Sequence, residues 1–178
     1  MSEDIMNRFK AVLQEDERRW NEYVNSEGCK IYSEGLKQTT QLYKDAKKDS
    51  GLQELIELEY VAITQECAYY EKRSPEIRAD FDPVLESFEG GILNFIKFIN
   101  SPEDYKIALI THSRSKKPNG VPKDAFHAAI AEHMTFLKRK VEFPRTLPAE
   151  RDFFYARLEN MKKAKKLYIE KQREIIGK

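Results

Sequence analysis

The chain has 178 residues, of which 40% are hydrophobic and 34% charged, with only 7 Gly and 7 Pro. Its length suits one domain with its own core, its charge fraction exceeds the ordinary ~25%, and so few turn residues argue against an all-β protein. Residues 1–100 hold 13 Lys+Arg and 20 Asp+Glu, whereas residues 101–178 hold 18 and 10, so an acidic half (−7) precedes a basic half (+8) within a net charge of +1.

The spacing predicts a first helix over 2–25. Ile5, Phe9, Val12, Leu13, Trp20 and Tyr23 fall in one stripe at a period of 3.6, and Gly28 is expected to end it. A second helix is expected over 31–48, with Leu36, Leu42, Tyr43 and Ala46 inward. Gly35 and the Thr39-Thr40 pair are weak helix formers within it. The third, over 51–73, is apolar nearly all round, which predicts a central helix. A fourth over 83–100 aligns Val84, Phe88, Ile92, Phe95 and Ile99, and Gly90-Gly91 marks a kink or a close crossing. A fifth is expected over 102–113.

Residues 114–122, around Pro118-Asn119-Gly120, read as a loop. A sixth helix over 122–142 aligns Phe126, Ile130, Met134, Leu137 and Val141. A stiff connector with Pro144 and Pro148 leads to a last helix over 148–176. Ser74-Pro75, Asp82-Pro83 and Ser101-Pro102 each set a capping side chain before a proline suited to a first helical turn. The expected fold is all-α: residues 1–178 form a single bundle-like domain of six or seven helices with a long C-terminal helix.

Two cysteines, Cys29 and Cys67, cannot make a disulfide scaffold. Met1-Ser2-Glu3-Asp4 does not read as a signal peptide. The most apolar stretch, Gly91 to Ile99, falls well short of the ~20 residues of a bilayer span. A soluble, cytoplasmic protein without a transmembrane segment is expected.

The basic half offers three clusters able to contact phosphates or another polyanion. The loop holds Arg114, Lys116, Lys117 and Lys123. The sixth helix ends in Lys138, Arg139 and Lys140, and the last carries Lys162, Lys163, Lys165 and Lys166. The alternative is a solvated basic back on a core-packed amphipathic helix. The Gly-Lys-Ser/Thr of a phosphate-cradling loop is missing. His127 and His133 point to different faces, and His133 falls within an apolar stripe; neither makes a metal pair. No cofactor or metal is expected, and the sequence says nothing of a small-molecule ligand.

A further set of charges intrudes on apolar stripes: Asp16 on the first helix, Glu59 and Glu66 on the third, and Arg157 and Lys165 on the last. Buried charges must pair or neutralise. Some of these acids are therefore expected to pair with Arg157 or Lys165, joining the acidic half to the basic half; the alternative is that each marks a stripe edge, or that an apolar face is shared with a subunit. Acid–base chemistry by Glu59 and Glu66 lacks a nucleophile, metal set or glycine-rich cradle beside them. The leading expectation is a non-catalytic helical interaction or adaptor protein that self-associates or binds a protein partner, its acidic half meeting its basic half. A nucleic-acid-associated protein is the alternative, and an enzyme is third.

Overall fold

The structure, a computed structural model, describes residues 2–73 and 125–177; the helices expected over 83–100 and 102–113, and the loop at 114–122, lie outside the described residues. Among the described residues the fold is all-helical, without a strand: α1 (Glu3–Val24), α2 (Glu27–Asp49), α3 (Leu52–Arg73), α4 (Ala125–Glu142) and α5 (Pro148–Gly177).

Short polar side chains set the boundaries. Ser2 caps α1 by accepting the Ile5 amide at 3.4 Å. Ser26 does two jobs at the α1–α2 junction. Its Oγ accepts the Cys29 amide at 3.2 Å and donates to the Tyr23 carbonyl at 2.6 Å. This capping starts α2 at Glu27, four residues before the expected start. Gly28 lies in the first turn of α2 instead of ending α1. At the head of α3, Glu54 accepts the Gly51 amide at 2.6 Å. At the head of α5, Glu150 accepts the Leu147 amide at 3.1 Å. The α4–α5 connector is tied by Thr146, whose hydroxyl donates to the Lys140 carbonyl at 2.7 Å, and by Arg151, whose Nε donates to the Val141 carbonyl at 3.1 Å.

Among the described helices, α5 has the most neighbours. It packs on α2, α3 and α4. Ala156, Arg157, Leu158, Asn160, Met161, Ala164 and Tyr168 are all buried, so its covered surface extends well beyond one stripe. Alanines at 156 and 164 let neighbouring helices approach closely. Leu55, Ile56 and Ile63 of α3 and Ile130 and Leu137 of α4 complete the main core with Leu158, Met161 and Tyr168. Tyr43 of α2 packs edge-on to Phe153 of α5, with centroids 5.5 Å apart. By contrast α3 leaves Val61 half exposed and carries Gln53, Glu57 and Thr64 outward.

The stripe of α1 is open. No residue of α1 is buried. Ile5, Phe9, Val12 and Leu13 are 51%, 57%, 65% and 51% exposed. Further along the same face, the helix is held by polar contacts. Asp16 pairs with Arg145, whose guanidinium also lies 5.6 Å from the Trp20 ring centroid.

Candidate interaction surfaces

A buried charge cluster joins the two halves of the chain. Arg157 of α5 and Glu59 of α3 are 0% and 1% exposed. Arg157 Nε donates to Glu59 Oε1 at 2.9 Å and its Nη2 donates to the same oxygen at 2.6 Å. The guanidinium also pairs with Glu66, one heptad along α3. His133 of α4, buried, lies with Nε2 2.6 Å from Glu59 Oε1. The Phe153 and Phe154 rings flank the guanidinium at 5.2 and 5.5 Å. Three helices therefore meet at one carboxylate.

Burial alone would push the Glu59 carboxyl up. The Arg157 charge and the His133 contact more than offset it, and the carboxyl sits below its ordinary range. Burial, reinforced by the Glu59 charge, pushes the nearby Tyr43 hydroxyl up. These groups are engaged with one another. None of Glu59, Glu66, His133 or Arg157 lines either of the surface grooves described next. Buried polar groups paired across helices in this way are known to fix register in other folds.

Asp16 departs from the expected burial: its side chain is 55% exposed. It sits at the rim, where a turn of helix reaches the α4–α5 connector, and takes Arg145 as its partner in place of Arg157. Asp16, Arg19, Trp20, Tyr23, Tyr32, Arg145 and Glu150 line a cleft of about 390 Å³ there.

A larger groove, about 600 Å³, runs between α4 and α5. Met134, Val141 and Leu158 form its floor, Tyr155 stands 53% exposed beside them, and Lys138, Lys162 and Lys165 meet at its rim with one acid, Glu142. The packing of α4 on α5 thus gathers members of two basic clusters that lie far apart in sequence. It divides the remainder. Lys163 is not a free phosphate contact: its ammonium donates to the Lys47 carbonyl and, at 3.1 Å, to the Ser50 carbonyl, at the C-terminus of α2. Lys162 is engaged by Glu159 at 2.9 Å, and Lys47 bonds the same carboxylate at 3.1 Å. These two hydrogen bonds hold Glu159 below its ordinary range, with burial opposing them. Lys140 is half-buried beside the Phe136 ring, and burial lowers its pKa. Arg139 and Lys166 are exposed. Arg114, Lys116, Lys117 and Lys123 lie outside the described residues.

Sequence reasoning did not find the groove, the His133 contact or the capping role of Lys163. His127 is buried, with its ring 6.4 Å from that of Tyr168. Among the described residues no group of three His, Cys, Asp or Glu side chains is placed to hold a metal ion. No helix among the described residues is long and apolar enough to cross a membrane. No family model, curated protein or solved structure matches the chain.

Proposed function

We propose that the protein is a non-catalytic helical interaction protein that self-associates, with α1 as its docking arm. The observation that carries this reading is the open face of α1, where Ile5, Phe9, Val12 and Leu13 are each more than half exposed on a helix that buries nothing. Contiguous exposed apolar residues at helical spacing mark a face that docks into a partner's groove. The mutual pairing of Glu59, Arg157 and His133, away from both surface grooves, supports a structural role for the cluster, not a catalytic one. The sequence reading adds two helices over 83–100 and 102–113, which would bring the bundle to seven, and its sparse cysteines favour the cytoplasm.

Sedimentation velocity over a range of protein concentrations tests the reading. The expected result is a species at twice the 20.9 kDa chain mass, lost in Phe9→Glu/Val12→Glu. A chain that stays at its monomer mass throughout refutes self-association.

The convergence of Lys138, Lys162 and Lys165 on one groove favours a second reading, a polyanion-binding surface. Fluorescence anisotropy with labelled oligonucleotides at rising salt separates the two. Duplex binding through this rim would weaken with a log–log slope of about −0.9 per phosphate neutralised, and Lys138→Gln/Lys162→Gln/Lys165→Gln would abolish it. Absence of binding at low salt removes this reading and leaves the first untouched.

A further inference from the structure

We infer that the open face of α1 pairs antiparallel with α1 of a second copy of the chain, Phe9 of each helix lying against Val12 of the other. The inference rests on the self-association proposed above and names the surface that receives the arm. That surface is the groove between the side-chain ridges of the partner's own α1. One helix can serve as both surfaces because its apolar face is open: no residue of α1 is buried, and Ile5, Phe9, Val12 and Leu13 are each more than half exposed.

The spacing defines a seam. Ile5, Phe9 and Val12 follow the alternating four- and three-residue steps of a helix-pair interface, and Asp16 takes the next seam position. Arg8 and Glu15 stand one residue before Phe9 and Asp16, so both flank the seam on the same side. Their side chains are 79% and 44% exposed. Their present partners, Asp4 for Arg8 and Arg18 and Arg19 for Glu15, are exposed neighbours on α1 itself. Pairs of that kind contribute little and do not bar a new contact.

The charges select the orientation and the register. In a parallel pair Asp16 meets its own counterpart, and Arg8 and Glu15 do not meet. In an antiparallel pair the residues flanking the seam on one side meet each other across it. With Phe9 on Val12, Arg8 of each helix comes beside Glu15 of the other, and the contact occurs twice. A slip of one heptad in one direction sets Arg8 against Arg8. The opposite slip sets Glu15 against Glu15 and Phe9 on Arg19. In the favoured register Asp16 lies at the edge, opposite Ile5, with Arg145 holding its charge. The same patch is used by both copies, so the pair closes as a two-fold dimer.

Charge reversal tests this by sedimentation velocity at low salt, with circular dichroism to check that each variant remains helical. Arg8→Glu sets acid against acid across the seam, and Glu15→Arg sets base against base. Each alone is expected to weaken the dimer about tenfold, since two exposed pairs turn from attraction to repulsion. An equimolar mixture of the two variants regains a dimer of one chain of each, because every flanking acid then faces a base. If the single variants dimerise like the parent while Phe9→Glu/Val12→Glu does not, the antiparallel pairing is overturned and α1 remains the docking arm. A mixture that dimerises no better than either variant alone overturns the pairing too. A parent chain that is monomeric at all concentrations removes the self-association reading and this inference together.

Discussion

Replacing Arg157 by Met should be among the most damaging single changes to the fold. The side chain is fully buried and holds Glu59 and Glu66 together. Met fills similar volume but leaves two carboxylates facing an apolar core. Breaking a buried pair by removing one partner costs about 3–5 kcal/mol, a large part of the ~5–15 kcal/mol that holds a typical domain together. Removing all the charges at once should cost far less, since apolar replacement of a complete buried ion pair is close to neutral. The triple variant Glu59→Leu/Glu66→Leu/Arg157→Met is thus expected to be more stable than Arg157→Met alone. Urea unfolding followed by helical circular dichroism measures both midpoints. The pH dependence supplies a sign. In the parent, the Glu59 carboxyl is lowered, so its contribution is present above the unfolded value of ~4.3 and is lost as pH falls through the folded value. Without Arg157, burial dominates and raises that carboxyl, so the variant gains stability relative to the parent as pH falls through the raised value. An Arg157→Met cost below about 1 kcal/mol, or a variant whose pH dependence keeps the parent's sign, would refute a cluster organised around this guanidinium.

Three further outcomes follow from single contacts. Ser26→Ala removes the N-cap of α2 and its bond to the Tyr23 carbonyl, and should cost about 1 kcal/mol in urea unfolding; no change in midpoint would show that the α1–α2 junction does not depend on this cap. Lys163→Met frees the carbonyls of Lys47 and Ser50 and should cost about 1 kcal/mol, whereas Lys162→Met, at an exposed pair with Glu159, should cost well under ~1 kcal/mol; equal losses would contradict the capping role. Asn160 is buried with no hydrogen-bond partner for its side-chain amide, so Asn160→Leu should raise the thermal midpoint, since an unsatisfied buried amide costs about 1–3 kcal/mol; a lowered midpoint would mean that the amide is satisfied in solution.

What the sequence disclosed, and what it withheld, follows from the physics of periodicity. An acid on an apolar stripe needs a partner, and on that ground Asp16, Glu59 and Glu66 could be set against Arg157 or Lys165 before any packing was known, though not which pairs with which; Asp16 takes Arg145 instead. His133 could not be added to them. Its approach to Glu59 depends on how α4 lies against α3, and no spacing within either helix encodes that. The same limit applies to burial. The sharp stripe of α1 states which face is apolar, yet not whether anything covers it, and here Ile5 to Leu13 stay open. The blurred pattern of α5, with alanines and Arg157 among its large apolar residues, belongs to a helix packed on three neighbours, where small residues mark close approach and Arg157 is enclosed by its partners, while Lys162 and Lys166 keep an exposed back. A sharp stripe is the mark of a helix with a single apolar side, covered or not, and a blurred one is compatible with the centre of a bundle. The distinction bears on function: the proposed self-association rests on the open stripe of α1, not on the charged residues that first draw notice.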